Sequence, residues 1–600
     1  MKRQSLLVAL FALLAVFACK EAEPVVEPVL EVSTERIAFN SFGGERLITI
    51  TANNSWTIED DAEWISLSLT GGEGSAEPQQ VMVYIDEYTA VNAEPRSGKI
   101  TIKSAGLTHE IVVSQSAAEQ VQEPETPTPE PPTSEAMEGA GTETDPYLIK
   151  TVGNMLYMRA AATEGGTTYF RMENDIDMAP VRAWIPVNYD NNFTRQIHFD
   201  GNNKTISNFY CEKAVSNTNY PSLFGVLYGS CKNLKIDKAI IISTSGCGII
   251  GGYVGTGGKP GLVENVTITN SSVKNAGDRA GGVCGTAKEA TFRNVSFSGT
   301  VTSTWQGDAE AKAGAFLGQA ESTVVLENCK AEADLTAKDV YTGGLAGFIH
   351  SNATVSMTGC SFSGNIDTQD GYVGGVAGAV SGILTLSKTS SSGTVTSLGA
   401  YVGGLVGASM NNGVSISNCY STADVRTWGQ QVGGLVGTTT SKLTMTNCYA
   451  SGDVYSATSG AAGLVGRVQR SSSITNCIAW NKNVSTSRTA NNLYAPGGVL
   501  GCAQEVGTYS GCVRRYDMVL VDEWVSLYDQ PDYVDAMPPL PSYSTATHQQ
   551  SYHGKAAAQG ETLASVAQRL GWDNAVWNFA SGGSGLGFTI KQLGDNKIEF

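Results

Sequence analysis

Nine times between residues 251 and 501 the chain writes a short glycine motif: "GGYVG" at Gly251, "GGVCG" at Gly281, "GAFLG" at Gly314, "GGLAG" at Gly343, "GGVAG" at Gly374, "GGLVG" at Gly403 and Gly433, "AGLVG" at Ala462 and "GGVLG" at Gly497. The starts are 29 to 35 residues apart. A period of that size marks a stacked repeat, one supersecondary unit per period. Inside each period short alternating apolar runs are broken by turn residues, with no helical stripe, so each repeat reads as one coil of a parallel β-helix. Nine coils at about 4.8 Å each predict a stack of roughly 43 Å.

Side-chain phase locates a corner in every coil. Val414, Ile416 and Asn418 share one strand face, whereas Cys419, Ser421, Ala423 and Val425 share the next, a slip of one residue that requires a bend at Asn418-Cys419. Val324, Leu326 and Asn328 before Cys329 obey the same rule, as do Leu443, Met445 and Asn447 before Cys448. Asn tolerates left-handed backbone, and its amide can bond its counterpart one coil on, so Asn418, Asn447 and Asn476 are expected to form a ladder. Cys329, Cys360, Cys419, Cys448 and Cys477 share one slot that holds Val266, Val295 or Thr389 in other coils. A slot that accepts Val is small and buried, so these cysteines read as core residues, neither metal ligands nor disulfides. In the Gly motif, two adjacent apolar residues such as Leu405 and Val406 cannot both face inward from a regular strand, so a bend or bulge is expected there, with its inward face unassigned.

Composition narrows the function. Fifty-seven acidic against 39 basic residues give a net charge of -18, which disfavours nucleic acid. Lys2 and Arg3 precede an apolar run from Leu6 to Phe17 that ends at Ala18-Cys19, a signal peptide over 1–18 too short to span a membrane. The segment resembles a bacterial lipoprotein signal, which implies lipidation at Cys19. The following Lys20-Glu21-Ala22-Glu23 looks like the export tag of Bacteroidota lipoproteins and implies an outer-membrane, cell-surface address, with residues 19–29 as tether.

Residues 30–117 alternate strands and turns as a small immunoglobulin-like β-sandwich does. "NNSWTI", "EWISLS", "TGGEGS", "PRSGKITI" and "IVVSQSA" resemble the BACON domain of Bacteroidota, which implies a module found beside carbohydrate-active domains and proposed to bind glycans. Trp56 and Trp64 suit sugar stacking, but Trp in an alternating strand is expected in the core. Residues 118–138, "AEQVQEPETPTPEPPTSEAME", form a Pro/Glu/Thr-rich linker. Residues 139–250 open the β-helix, with a short closing helix near Val152 to Ala162. Residues 251–512 carry the repeats, whose "GGLVG" resembles the GLUG motif of bacterial surface proteins, some of them peptidases. Residues 513–600 form a C-terminal cap in which "GETLASVAQRLG" has only a superficial likeness to LysM, while Trp572 and Trp577 resemble the residues that cover the last coil of GLUG-type β-helices. The fold expected is all-β: a sandwich, then a parallel, right-handed β-helix with short capping helices.

No catalytic, metal or cofactor motif appears. Asp175, Asp177 and Asp200 suggest calcium but also suit turns. Asp424 and Asp453 stack on the outside, while Asn365 and Thr394 separate them from Asp334. His109, His198, His350, His548 and His553 sit in no triad or ligand pattern. Tyr341, Tyr372 and Tyr401 each precede a Gly-Gly by two residues and therefore stack in three coils, either as a strip for sugar rings or as wall support. The chain is thus expected to be a non-catalytic surface lipoprotein, adhesin-like or glycan-binding, whose partners are glycans or host surface proteins and whose membrane contact is the N-terminal lipid. The alternatives are a polysaccharide lyase or glycoside hydrolase on a β-helix, or a purely structural, fimbria-associated protein.

Overall fold

The computed structural model describes residues 27–117, except 40, 42, 91 and 92, and residues 132–591 with breaks at 189–193, 214–218, 306–310, 339–340, 487–495, 504–506, 523–549, 553 and 580–588. The signal segment, Cys19 and the linker over 118–131 lie outside the described residues. The chain divides into two compact units, Met1–Pro127 and Thr128–Phe600.

The first unit is a β-sandwich. One sheet orders Leu30–Val32, Gly44–Ala52, Ser75–Ile85 and Ile65–Leu67; the other orders Arg36–Phe39, Leu107–Gln115, Arg96–Ser104, Trp56–Asp60 and Gly71–Gly72. Period-two alternation turns Ile48, Ile50, Val81 and Val83 against Ile100, Ile102, Ile111 and Val113, all 0% exposed. Each such side chain contributes about 1.5–3 kcal/mol through burial. Trp56 is a core residue, as expected. Trp64 is half-buried and carries the Arg96 guanidinium 4.4 Å from its ring, with Tyr88 on that cation at 4.5 Å.

The second unit is a parallel β-helix. Its opening helix, α1 (Val152–Ala161), starts at Thr151, whose side chain accepts from Asn154 N while the Asn154 side chain accepts from Thr151 N, a reciprocal cap. Asn154 Nδ2 also donates to the carbonyls of Glu135 and Ala136, so the chain just before the first strand is tied to this helix. Met155 and Met158 bury against the first coils.

Coil on coil, the strands stay in parallel register: Val414, Ser415 and Ile416 pair Leu443, Thr444 and Met445, and Thr444 and Met445 pair Ser473 and Ile474. The corner lies where the phase slip puts it. Asn418, Asn447 and Asn476 have φ of 52°, 53° and 52°, and Gly359 and Lys388 fill the same position in earlier coils with φ of 66° and 51°. The amide chain runs elsewhere than expected: Asn265 Nδ2 bonds Asn233 Oδ1 at 3.1 Å, Asn294 bonds Asn265 at 2.9 Å, and Asn328 bonds Asn294 at 3.4 Å. Among the described residues no amide-to-amide bond joins Asn418, Asn447 and Asn476, which share only the left-handed corner.

The Gly motif is a tight arch, which supplies its missing inward face. Strands such as Tyr341–Gly343, Tyr372–Gly374 and Gln430–Gly433 form a seven-stranded sheet of their own, and the chain doubles back into Ala346–Ile349, Ala377–Val380 and Val436–Thr439. Because the backbone turns between them, Leu405 and Val406 are both 0% exposed. All three glycines are forced by space. A Cβ on Gly403 would lie 2.1 Å from Val406 O; on Gly404, 2.1 Å from Gly434 O; on Gly407, 2.5 Å from Gly378 O.

The C-terminal segment closes the stack and also covers its flank. Gln550–Tyr552 pairs antiparallel with Leu500–Ala503, and Lys555–Ala556 pairs parallel with Val513–Arg514. Helix α2 (Leu563–Arg569), Trp572 and Trp577 then pack sideways on Tyr449, Ile478 and Val513, with Tyr420 at the margin. Coverage therefore extends beyond the last coil. The outward slot after the cysteine corner changes from Lys330, Ser361 and Ser390 to Tyr420, Tyr449, Ile478 and Val513, an apolar column that has to be covered.

Candidate functional site

The three tyrosines precede the arch in successive coils. Tyr341 pairs in register with Tyr372, and Val373–Val402 pairing puts Tyr401 next in line. Ring centroids are 5.3 Å apart for Tyr341–Tyr372 and 4.8 Å for Tyr372–Tyr401, the second pair stacked at 28°. Since the arch folds the following strand back beside them, Phe348 stacks on Tyr341 at 4.7 Å and 22°. Tyr341 is consequently only 5% exposed, whereas Tyr372 and Tyr401 are half-buried. The column begins with Arg279 and Lys312 and continues into Gln431.

Several acidic side chains suggested by the sequence are engaged in holding corners. Asp175 Oδ1 accepts from Thr205 N, Asp177 Oδ1 from Ala179 N and from Asn208 Nδ2, and Asp200 Oδ1 from Asn202 N and Asn233 Nδ2. Asp424 Oδ1 accepts from Asp453 N at 2.9 Å, and Asp453 accepts from the backbone and side chain of Asn483. In the same column, Asn365 bonds Asp334 at 2.9 Å and Thr394 bonds Asn365 at 2.8 Å. These carboxylates satisfy neighbouring N–H groups within and between coils. Among the described residues no three His, Cys, Asp or Glu side chains come together to hold a metal ion. His198 is stacked on Tyr169 at 4.6 Å and bonded to Ser230, with burial lowering its pKa.

The cysteine column is buried. Cys329, Cys360, Cys419, Cys448 and Cys477 are free and 0% exposed, and Cys512 continues the slot. Each thiol lies within bonding distance of the carbonyl two residues before it, from 3.2 Å at Cys419 and Cys448 to 3.8 Å at Cys512; Thr389 Oγ1 makes the same bond at 3.0 Å. Burial pushes the Cys419 and Cys448 thiols well above their ordinary range and Cys512 up to about 11.

One outward column escaped the sequence reading because only strand register reveals it. Lys232, Glu264, Arg293 and Glu327 alternate in charge, with Arg293 bonded to Glu264 at 2.8 Å and to Glu327 at 2.7 Å. From the next coil onward the same line reads Thr358, Ser387, Ser417, Thr446, Thr475 and Ser510. The second half of this face is therefore neutral and hydroxylated in a chain of net charge -18.

Comparison with known proteins follows the same division. The BACON family, described as "Putative binding domain, N-terminal", matches residues 54–116, and the GLUG motif matches 399–426 and 429–455. Among curated relatives, a "Putative Gly-rich membrane protein" of Evansella cellulosilytica is 29% identical over 137 residues, 22% of this chain and 15% of that protein. Halomucin of Haloquadratum walsbyi is 33% identical over 162 residues, 25% of this chain and 2% of that protein. The chain thus matches only a small fraction of either relative's length. Among solved structures, a "putative immunoglobulin A1 protease" from Bacteroides ovatus overlaps 76% of this chain and 94% of its own at 22% identity and TM-score 0.27. A Bacteroides ovatus GH5 xyloglucanase overlaps 23% and 26% at 20% identity and TM-score 0.14. The N-terminal β-sandwich thus contains a match to the BACON model, and two coils of the parallel β-helix match the GLUG motif.

Proposed function

We propose that this protein is a non-catalytic, adhesin-like surface lipoprotein that holds glycans against its β-helix. Its anchor is a lipid on Cys19, its address is the outer face of the outer membrane, and its partners are host or dietary glycans. The observation that carries the reading is the line of Tyr341, Tyr372 and Tyr401, in which two half-exposed rings follow one another at 4.8 Å. Aromatic rings supply apolar area with a polar hydroxyl at the tip, which suits sugar rings with their apolar faces and polar rims. The engagement of Asp334, Asp424 and Asp453 in coil-to-coil hydrogen bonds supports binding over hydrolysis, since a glycosidase needs two carboxylates flanking its bond.

A glycan array with residues 20–600, run beside reducing-sugar and unsaturated-product assays on acidic polysaccharides, tests the reading. Binding without turnover is expected, weakened at least about tenfold by Tyr372→Ala with Tyr401→Ala, as loss of about 1.4 kcal/mol implies. Turnover would overturn the non-catalytic reading, and absence of binding to any glycan would overturn the adhesin reading.

A further inference from the structure

The tyrosine column ends in a position that structure alone does not explain. Val402 and Gly403 pair Val432 and Gly433, so Gln431 occupies in the next coil the place that Tyr401 holds in its own. Gln431 is 2% exposed, and its Oε1 is buried without a hydrogen-bond partner. Three residues earlier, in the turn that feeds this strand, the Trp428 indole Nε1 is likewise buried and unpartnered. Polar atoms in such surroundings normally find partners, and each exception calls for an explanation.

Left-handed backbone recurs at the same place. Tyr401 and Gln431 have φ of 66° and 65°, whereas neither Tyr341 nor Tyr372 is left-handed. One coil further the position is Gly460, with φ of 75°, the residue that this conformation normally takes. A β-carbon disfavours the left-handed region, and backbone held there is found at ligand-binding and active sites. Gly460 packs directly on Gln431, where a Cβ would lie 3.4 Å from Gln431 Cα and 3.5 Å from its Cγ.

We infer that Tyr401, Trp428 and Gln431 form the terminal subsite of the strip and take a hydroxyl group of a neutral, linear oligosaccharide. The inference rests on the glycan-binding reading above and names its ligand class. An unpartnered donor and an unpartnered acceptor three residues apart match a hydroxyl, which accepts from Trp428 Nε1–H and donates to Gln431 Oε1. A carboxylate cannot donate to Gln431, and an ammonium cannot accept from Trp428. The ring of the same sugar rests against Tyr401, and the next one along the axis lies against Tyr372.

Calorimetric titration of the full chain in detergent with cellohexaose, mannohexaose and xylohexaose, with hexagalacturonate as the charged control, tests the assignment. At least one neutral hexamer is expected to bind and the uronate not to compete. Gln431→Leu should weaken binding at least tenfold while the melting temperature holds or rises, because the variant deletes an orphan amide of similar size. Trp428→Phe should weaken it several-fold, and the double variant should lose less than the product of the two. Gln431→Gly, which copies Gly460, provides a second folded variant should leucine be misaccommodated. Wild-type binding unchanged by these substitutions would overturn the subsite and leave the tyrosine strip standing. No binding by any hexamer, or preference for the uronate, would overturn the subsite; loss of all glycan binding in the array as well would take the function proposed above with it.

Discussion

Two of the turns in each coil are made by devices that look alike in sequence and differ in cause. At the corner before the cysteine slot the requirement is a left-handed backbone, and Asn418, Lys388 and Gly359 all meet it, with φ between 51° and 66°. At the arch the requirement is room: a Cβ on Gly403 or Gly404 would stand 2.1 Å from a carbonyl oxygen. The corner tolerates any residue that bears positive φ at modest cost, whereas the arch rejects bulk. Where the second glycine is replaced, the substitute is Ala315, and the opposite-wall residue in that coil is Ala331 in place of the Phe297 and Phe362 that face Gly282 and Gly344. Repetition of a residue type therefore does not identify the force that preserves it.

The largest effect should come from alkali, acting on the thiol slot that follows the corner and leaving the arch untouched. The folded-state pKa values of Cys329, Cys419 and Cys448 are raised well above the ordinary 9.0 by burial, and that of Cys512 to about 11. Above pH 9 the unfolded chain releases these protons while the folded chain retains them, so stability falls as pH rises through the window from 9 to the folded values. The slope is about 1.4 kcal/mol per pH unit for each thiol, on the order of 5 for four. Urea midpoints at pH 8 and pH 10.5 should show this loss, and valine at all four positions should remove the share of these thiols while leaving that of the buried Cys231, Cys247, Cys284 and Cys502, whose thiols burial also raises; an unchanged slope would remove the thiol column as a source.

Next in size is the arch. Gly403→Val should cost about 3 kcal/mol or more, since the clash is with backbone and no side chain can move aside. A chemical-denaturation shift under 1 kcal/mol would contradict a space requirement. At the corner, Asn447→Ala should cost about 1–2 kcal/mol from left-handed strain, while Asn447→Gly stays near neutral. Equal losses for the two would mean that the amide, and not φ, matters. Smallest is the slot itself: Cys448→Val should cost under about 1.5 kcal/mol, a near-isosteric change that removes the weak thiol bonds to the Thr446 and Ile416 carbonyls and the long bond from Cys419 N. Stoichiometric zinc lost on that substitution would refute the core reading.

Local rules made much of this architecture legible. The phase slip at Asn418-Cys419 located the corner because side chains alternate with period two, and the Val266, Val295 and Thr389 substitutions marked the slot as buried. Periodicity alone placed Tyr341, Tyr372 and Tyr401 in line. The candidate site was legible only that far. Phe348, seven residues after Tyr341, covers it because of the arch, and no local pattern announces a contact made by doubling back. Gln431 and Trp428 stood out only once each polar atom could be checked for a partner.

What the sequence determined by itself is the coil: its period, its corner, its buried slot and the sandwich before it, since all of these follow from the alternation and size of neighbouring residues. What only the tertiary structure decided is everything that depends on adjacency between coils. The amide chain through Asn233, Asn265, Asn294 and Asn328, the change from ion ladder to hydroxyl ladder, the apolar flank under Trp572 and Trp577, and the unpartnered atoms at Gln431 and Trp428 lie in this class. Their physical reason is common: residues about 30 positions apart become neighbours only when the stacking register is set, and that register is held by backbone hydrogen bonds that every residue except proline can make.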